Sequence, residues 1–529
     1  MLRCARKTVR LSQNPCTFII TMYRKKNNKQ LSFENFNLPF GGKLRSDNRW
    51  VKLARIIPWE LAESFYSKQF SKTGAPALSA RVALGALIIK ERLGVSDEEA
   101  VEHIRENPYL QYFLGFQGFS DDPPFDPSMY VHFRKRFSIE QLNEINEAIA
   151  NRERKDRDKE NDNDNDNLSE TSSNGNKGKL IVDATCAPAD IRYPTDIGLV
   201  NEARQKSEKI IDILFAPLKG RMRKPRTYRR KAHRLFVSYS KMRKCSRRKR
   251  RTMLGKQLRF LRRNLKIIAR LCEEVPLSIL DRKTYRTLLV IHEVYRQQYW
   301  MYENRKQSIS DRIVSISKPH VRPIVRGKAS SPTEFGAKLS ASLVDGFAYC
   351  DRISWDAYNE STDLIEQIEA YRQRFGHYPE SVHCDKVYRT RQNRAYCKER
   401  GIRMSGPPLG RPPKLSPEEQ KAEQQLTRQD ALDRIPIEGK FGQAKRRFGL
   451  GRVMAKLAAT SEAMIAITFI VLNLEKWLKK PFLRYFCVDL PSQMAQVGIV
   501  QAIYRILQRL SCHNWIVETN MKWAYARYF

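Results

Sequence analysis

A strongly polar stretch divides this chain into parts that must each fold around a separate core. Residues 156–179 are nearly all Asp, Asn, Glu, Lys, Ser and Gly. Such a segment buries too little apolar surface to offset the conformational entropy that it would lose on ordering. The sequence therefore predicts a disordered linker over 151–179, and its 529 residues leave room for two or three domains.

The part before the linker has a helical pattern. Apolar residues recur at helical spacing over 81–93, where Gly94 can end a helix, and Ser96 can cap a second helix that Pro108 closes. Two helices joined by a short turn fit a helix-turn-helix or an ordinary helical hairpin, and the pattern slightly favours the hairpin. We predict an all-α, DNA-binding domain over 41–150, preceded by a basic arm over 1–40.

After the linker, three carboxylates follow apolar or helical segments in a regular order. The predicted elements are a buried strand ending on Asp183, a hairpin over 337–354, a helix over 364–375, a strand over 381–384 that runs into Asp385, and a helix from Ser416 that leads to Glu438. This is the element order of an RNase H-like domain, in which such carboxylates converge at the edge of a mixed sheet. The predicted class is therefore α/β, with flanking helices.

A charge at the end of an apolar strand is costly unless it has a partner. Three neighbouring carboxylates repel one another unless a cation lies between them, and Mg²⁺ prefers oxygen ligands. Two such ions about 3.5–4 Å apart can activate an attacking oxygen and stabilise a leaving oxygen. Taken singly, each of Asp183, Asp385 and Glu438 could equally be a solvated surface acid, so their context selects them.

Residues 213–272 contain 23 Lys or Arg and no Asp or Glu, which is more than half of the chain's formal net charge of +40. Aromatic residues such as Tyr228 and Phe260 lie among the bases. We interpret this block as part of a basic, helical insertion at about 205–315 that contacts nucleic acid through its phosphates. RNA remains open as the ligand, and a solvated helix face is the alternative for any run of charge.

Other function classes fit poorly. The longest apolar run, Ala463–Leu474, is interrupted twice and is shorter than the roughly 20 residues that span a bilayer. An anionic membrane surface is therefore a weak alternative partner, and the stretch Phe18–Met22 is too short for a secretory signal. The ten cysteines lack CxxC spacing, which argues against structural zinc and a disulfide framework. We predict an intracellular protein.

The residues around the three carboxylates resemble the motifs of DDE transposases of bacterial insertion sequences. The matching segments are Val182–Thr185 with Tyr193–Asp196, Cys384–Tyr388 with Gly401-Ile402, and Arg434–Glu438 with Lys445. The N-terminal part also resembles that group's helical domain, through Asn107-Pro108, Phe125–Ser128 and Phe133–Arg136. Ala431 departs from the family, in which a tyrosine often precedes the arginine by three positions.

The resemblance implies an enzyme that cleaves DNA at transposon ends and joins it to target DNA. It implies that Asp183, Asp385 and Glu438 are catalytic and hold two Mg²⁺ ions, for which Mn²⁺ can substitute, with no other cofactor. Double-stranded DNA (terminal repeats and target) is the implied partner of a homo-oligomer without membrane contact. The implied location is the cytoplasm, at the nucleoid, and residues 481–529 form an extension of unknown role.

The implied DNA contacts are Arg434, Lys445, Lys386 and Tyr388. For Arg434 and Lys445 a solvated helix face is an equally good interpretation, and for Tyr388 core packing is as good. His383 shares the strand face of Asp385, but a lone histidine there is more often packed than a ligand.

Two alternatives remain open at this point: a metal-dependent nuclease of RNase H-like fold that does not join DNA, and an inactive nucleic-acid-binding relative. The helices over 81–106 and the basic segment Phe133–Arg136 further predict that the N-terminal domain recognises the terminal repeats.

Overall fold

The structure, a computed structural model, describes residues 23, 32–70, 76–162, 175–325, 333–407 and 416–484. Most of the predicted arm and nearly all of the predicted C-terminal extension lie outside these residues. The chain forms two units, Met1–Leu472 and Asn473–Phe529, and the described part of the second unit is the end of a helix.

Within residues 32–70 and 76–162, seven helices make up the predicted all-α part. They are α1 (Arg49–Ile56), α2 (Trp59–Ser67), α3 (Ala80–Leu93), α4 (Asp97–Glu106), α5 (Pro108–Phe113), α6 (Met129–Arg136) and α7 (Ile139–Asp162). Helix α3 is central and buried on nearly every side. Gly94 ends it with φ 71°, and the Ser96 hydroxyl accepts a hydrogen bond from the Glu99 N–H (3.1 Å), as predicted. Pro108 begins α5 after α4 has ended at Glu106.

The pair α3–α4 is better described as a helical hairpin than as a DNA-reading motif. The solvent side of α4 carries Glu98, Glu99, Glu102 and Glu106, which would repel phosphates. In the basic segment Phe133–Arg136, Phe133 is buried, Arg134 pairs with Asp97, and Arg136 stacks on Phe70. Recognition of terminal repeats by this domain therefore stays a prediction, and these two features give it little support.

The sheet has six strands among the described residues. They are β1 (Lys179–Pro188), β2 (Arg322–Val325), β3 (Thr333–Val344), β4 (Phe347–Ser354), β5 (Ser381–His383) and β6 (Arg403–Met404). Their order is β2-β3-β1-β5-β6, and β4 also pairs with β3. β1, β3 and β4 are antiparallel neighbours, whereas β5 and β6 run parallel to β1 and to each other. The predicted α/β class with a mixed sheet is confirmed.

The predicted hairpin is β3–β4. Asp345 and Gly346 form its two-residue turn with φ of 50° and 76°, which is the positive-φ geometry that Asp-Gly favours because it matches the twist of the strands. Strand β4 lies at the edge of the sheet, and α7 covers it. The side-chain amides of Asn143 and Asn146 donate to the carbonyls of Cys350 and Ala348, each at 3.0 Å. These bonds attach the N-terminal helices directly to the sheet.

Helix α7 corrects one boundary. The linker was predicted from 151, but the helix continues through Asp162. Its C-terminal turns are polar, as the sequence shows, and a polar stretch can be helical without burying a core. Residues 163–174 of the predicted linker lie outside the described residues.

Four more helices complete the domain around the sheet: α12 (Leu364–Phe375), α13 (Arg391–Glu399), α14 (Pro417–Arg447) and α15 (Ala458–Arg484). The helices of the insertion are α8 (Asp196–Phe215), α9 (Arg229–Ser240), α10 (Arg247–Glu274) and α11 (Arg282–Glu303). A 3₁₀ turn, Glu360–Asp363, precedes α12. Asn359 caps this turn, and its side-chain oxygen accepts a hydrogen bond from the Ser361 N–H.

The basic insertion is helical, as predicted, and it has its own apolar core. Its first helix, α8, begins at Asp196, about nine residues before the predicted start of the insertion at about 205. One face of α10 is buried against α8 and α11 through Leu258, Leu261, Leu265 and Ile268, which recur at helical spacing. The opposite face of α10 is left for charged side chains.

Among the described helices, one segment is long and apolar enough to cross a membrane by length and composition. It is Ala458–Lys479 in α15, and 83% of its most apolar window is buried inside the protein. The apolar run Ala463–Leu474 is shorter than this helix, because Thr468 and Asn473 interrupt the run without ending the helix. Burial of this extent is usual for a core helix.

A buried carboxyl joins α3 to the segment after α14. Glu91 is 5% exposed and accepts a hydrogen bond from the Thr468 hydroxyl at 3.0 Å. A Cβ at Gly449, which has φ 76°, would come within 2.4 Å of the Glu91 Oε1. Burial raises the pKa of Glu91 to about 7, although Lys90 and the Thr468 hydrogen bond oppose the rise.

This carboxyl makes stability depend on pH. Between its ordinary pKa of 4.5 and about 7, the folded protein holds a proton that the unfolded chain has released. The free energy of unfolding therefore falls as pH rises through this window. The free energy of unfolding of wild type should fall by up to about 3 kcal/mol between pH 5 and pH 8, and we expect that Glu91→Gln does not show this fall. Urea denaturation of both proteins at the two pH values measures this difference.

The exposed Glu98→Gln is the matched control, and it should leave the pH dependence unchanged. If wild type and Glu91→Gln differ in unfolding free energy by the same amount at pH 5 and at pH 8, then Glu91 does not titrate in this window.

Candidate active site

The two aspartates lie on neighbouring parallel strands. β1 and β5 pair Lys179 with Ser381 and Ile181 with His383. Continued by two residues, this register sets Asp183 level with Asp385, where β5 has just ended. Adjacent strands are about 4.8 Å apart, so the sheet brings the two aspartates to the same position along its edge.

Helix α14 lies against β1 and β5 and carries Glu438. It begins with a capping box, in which the Ser416 hydroxyl accepts from the Glu419 N–H and the Glu419 carboxylate accepts from the Ser416 N–H. The helix continues past Pro436, which it accommodates on its exposed side. Glu438 is exposed, and Lys445 follows it by seven residues on the same face.

Two acids about one to two turns before Glu438 on α14 attach this helix to the sheet. Asp430 accepts two hydrogen bonds from the Arg403 guanidinium of β6, at 2.8 and 3.0 Å. Asp433 accepts one from the Lys179 ammonium of β1 at 2.7 Å. Burial opposes ionisation of both carboxyls, but these hydrogen bonds lower the pKa of each below its usual value.

His383 belongs to the same attachment. Its ring is fully buried, with Nδ1 3.4 Å from Asp430 and Nε2 3.0 Å from the Ser381 hydroxyl. Burial lowers the pKa of His383, although Asp430 and Asp433 oppose this. The histidine therefore packs between β5 and α14, as the sequence favoured, and it helps to set the position of the helix.

Arg434 links the acids. Its Nη1 lies 3.6 Å from Asp385 Oδ1. Burial raises the pKa of Asp183 to about 6, Glu360 and Glu438 add to the rise, and the Ala184 N–H and Arg434 oppose it. The Asp183 carboxylate accepts from the Ala184 N–H at 2.8 Å. Asp183 thus senses the charges of both Arg434 and Glu438, and one guanidinium offsets the repulsion in this cluster.

The donor set fits a divalent metal in its chemistry, because Asp183, Asp385 and Glu438 supply only carboxylate oxygens. Within the part of the chain that the structure describes, no three His, Cys, Asp or Glu side chains are close enough together to hold a metal ion. Asp385 is 51% exposed and Glu438 is on the helix surface, so both side chains have room to change rotamer.

The other residues that were predicted to contact DNA differ in how exposed their side chains are. Lys386 is exposed and follows Asp385 directly, and Lys445 is half-buried. Tyr388 is fully buried, and burial, followed by the charges of Glu360 and Asp183, raises its pKa. The core-packing interpretation of Tyr388 is therefore favoured over a contact with DNA.

Sequence reasoning missed Glu360. It lies in the 3₁₀ turn before α12, close enough to Asp183 to raise its pKa, and its carboxylate is 2.8 Å from the Lys338 ammonium of β3. Asp363 in the same turn pairs with Arg352 at 2.6 Å. Neither acid ends an apolar strand, so no pattern in the sequence distinguishes them from other acids.

A second surface is strongly basic. Exposed bases cover the outer faces of α9 and α10, and we call this set the basic face: Arg230, Lys231, Arg234, Arg259, Arg262, Arg263, Lys266 and Arg270. Tyr228 is 42% exposed at its margin, and the Arg263 guanidinium lies 4.5 Å from its ring centre. The face combines positive charge with an aromatic ring, as nucleic-acid surfaces commonly do.

Comparison with known proteins supports the resemblance to DDE transposases that the sequence motifs indicate. A family model described as "Transposase DDE domain" matches residues 382–475, and one described as "Transposase domain (DUF772)" matches residues 39–136. An uncharacterized protein of Rhizobium meliloti, ORF8 in the nfe locus, is 31% identical over 155 residues, which are 29% of this chain and 69% of that protein.

The chain belongs to the DDE transposases of insertion sequences. The first match contains Asp385 and Glu438, and the second covers α1–α6. No solved structure matches the transposase. The family implies that the enzyme binds DNA at transposon ends and depends on a divalent metal in general.

The attachment of α14 can be tested through Asp430. We expect Asp430→Asn to lower the free energy of unfolding by about 1–2 kcal/mol, because His383 and Arg403 lose a charged partner. The value is below that of a fully buried pair since Arg403 is 39% exposed. Chemical denaturation measures it, with the exposed Glu423→Gln of the same helix as the control. Equal effects of the two substitutions would contradict the assigned role of Asp430.

Proposed function

We propose that this transposase cleaves DNA at the ends of its element and joins the freed 3′-hydroxyl to target DNA. In this proposal Asp183, Asp385 and Glu438 hold two Mg²⁺ ions, for which Mn²⁺ can substitute. The observation that carries it is the parallel register of β1 and β5, which sets the two aspartates level, beside a helix that carries the glutamate.

The bound ions would activate the attacking oxygen and stabilise the leaving oxygen of each phosphoryl transfer. The protein needs no covalent intermediate for this chemistry. Cys384 adjoins Asp385, but it is fully buried, and burial raises the pKa of its thiol to about 11. The thiol therefore stays protonated at neutral pH and is a poor nucleophile.

Arg434 has two roles in the proposal. Without metal, its guanidinium offsets the charge of Asp385 and Asp183. With metal and DNA, it leaves Asp385 and binds a phosphate beside the cut, which its planar donors suit. Lys386 and Lys445 would contact the same backbone. The buried Tyr388 would support this segment from the core without touching DNA.

The basic face would hold double-stranded DNA, from the terminal repeats or the target, through its phosphates. Two transposon ends must be cut in one complex, so we propose that at least two copies of the chain act together on paired ends. The N-terminal helices are proposed to contribute to recognition of the repeats.

The carboxylate proposal is tested by exchanging one glutamate on α14. We expect Glu438→Gln to abolish Mg²⁺-dependent nicking at the ends and joining, by about 10³-fold or more, because a neutral amide is a poor metal ligand. Binding of the same labelled DNA should be retained. Gel assays of cleavage, joining and binding on one substrate measure all three.

The control is Glu423→Gln, the same change on an exposed site of the same helix, which should cut and join as wild type does. A wild-type protein that nicks ends but never joins them would indicate the nuclease alternative. A wild-type protein that binds but never cuts with any divalent metal would indicate an inactive relative.

The basic face is tested by salt dependence. Each phosphate contact contributes about 0.9 to the slope of log K against log salt on duplex DNA. We expect the double variant Arg259→Ala/Lys266→Ala to lower that slope by about 1.8, measured by fluorescence anisotropy from 50 to 200 mM salt. The charge-matched control is Lys398→Ala/Lys421→Ala, on two exposed sites of α13 and α14. An equal change in both variants would mean that only net charge matters.

A further inference from the structure

A cleft of about 1010 Å³ lies where the N-terminal helices, the insertion and the segment after α14 meet. Its walls come from the α3–α4 corner, from the start of α11, and from residues 454–460. The cleft contains none of the three proposed catalytic carboxylates and none of the basic face. It is therefore separate from both surfaces described above.

The cleft is lined by more bases than acids. Six basic side chains line it, and they are Lys90, Arg134, Lys206, Lys283, Arg286 and Lys456. The lining acids are Asp97, which pairs with Arg134 and Lys90, and the exposed Glu98. Lys283, Arg286 and Lys456 are exposed, and no described carboxylate forms an ion pair with any of them. Three exposed cations, from α11 and from the segment after α14, are thus available to a ligand.

A buried cation adds to the positive electrostatic potential of the cleft. Lys318 is 3% exposed, and its ammonium donates to the carbonyls of Val453 and Met454, at 2.9 and 3.3 Å. It fixes the segment that carries Met454 and Lys456. Positive charge behind the wall of a cleft strengthens the attraction for an anion inside it.

The dimensions select a single strand over a duplex. The cleft volume of about 1010 Å³ accommodates a few nucleotides of one strand, whereas one turn of B-DNA is about 34 Å long, with a major groove alone about 12 Å wide and 8.5 Å deep, and is several times larger. A duplex would lie across such a cleft and could not enter it. The exposed apolar side chains Val131 (41%) and Met454 (54%) also line the cleft and give it apolar surface beside the charges.

The position relative to the candidate active site follows from β1. Ala189, just past this strand, pairs with Val453, next to the cleft residue Met454. Six residues of extended chain separate Asp183 from Ala189, which is about 20 Å at 3.3 Å per residue. A strand that keeps the stacked spacing of a duplex advances about 3.4 Å per nucleotide along its axis, so this distance corresponds to about six nucleotides.

We propose that this cleft binds the sugar–phosphate backbone of a single DNA strand, about six nucleotides from the phosphate that is cut. Arg286 and Lys283 contact the backbone from α11, and Lys456 contacts it from the segment after α14. The position along the strand rests on the proposed function, whereas the binding of single-stranded DNA does not.

Binding by the full-length protein tests the site without any requirement for metal or cleavage. Fluorescence anisotropy would compare a single-stranded DNA oligonucleotide, its duplex and the matching single-stranded RNA. We expect Arg286→Ala and Lys456→Ala each to weaken single-stranded DNA binding about tenfold, the value of one charge-assisted contact. Each should also lower the salt slope by about 0.7, and duplex binding should change less than about twofold.

The matched control is Arg282→Ala. Arg282 is an exposed arginine four residues before Arg286 on α11, but it does not line the cleft. It should leave single-stranded binding within about twofold of wild type. An equal loss in Arg282→Ala, or an equal loss on duplex DNA, would overturn the proposal. Tighter binding of RNA than of DNA would also overturn it, in favour of an RNA site.

The position is tested with single neutral methylphosphonates placed at each of the first ten linkages from the cleaved end. We expect the largest loss of affinity near the sixth linkage, and we expect Arg286→Ala to abolish that loss. A largest loss elsewhere would contradict the position but leave the single-strand site intact. If Glu438→Gln and wild type are both inactive in cleavage, the proposed function fails, and the binding comparison still decides the cleft.

Discussion

The geometry of the candidate active site depends on how one helix is attached to one sheet edge. Helix α14 carries Glu438 and Arg434, but its position is set about one to two turns before Glu438, where Asp430 and Asp433 bond to Arg403 and Lys179. His383 fills the space between helix and sheet. The Asp430 and Asp433 side chains are only 8% and 17% exposed, so their bonds are stronger than those of a surface ion pair, even though Lys179 itself is exposed. A helix held in this way presents its next turn to Asp183 and Asp385.

That arrangement concentrates negative charge, and the cost appears in the pKa of Asp183, which burial and neighbouring acids raise to about 6. Arg434 offsets part of this cost through Asp385. In the proposed function, a divalent cation would take the place of this guanidinium and neutralise the same carboxylates. The same transposase carries its excess positive charge elsewhere, on the outer faces of α9 and α10, where a polyanion can neutralise it.

Much of this could be predicted from sequence because the relevant signals are local. A strand that ends on an aspartate, an Asp-Gly turn between two period-two runs, and glycines that end α3 and α12 each act over a few residues. The order of the strands and the three candidate carboxylates followed from those signals and from family resemblance. The helical insertion followed from a run of bases with apolar residues at helical spacing.

The parts that could not be predicted depend on long-range packing. Glu360 approaches Asp183 only because the 3₁₀ turn before α12, which Asn359 caps, folds against β3, the neighbour of β1. Tyr388 looks like a surface contact in a motif, but it is buried. The basic segment Phe133–Arg136 is used for packing inside the helical domain. The cleft combines residues from three regions that lie far apart in the chain.

The most direct test of the central claim is anomalous diffraction from crystals of the transposase grown with DNA ends and soaked in Mn²⁺. We expect manganese peaks between Asp183, Asp385 and Glu438, with the Arg434 guanidinium moved from Asp385 to a DNA phosphate. Manganese bound at other residues, in crystals that still cleave the DNA, would contradict the claim. So would cleavage with Arg434 still paired to Asp385 and no metal at the three carboxylates.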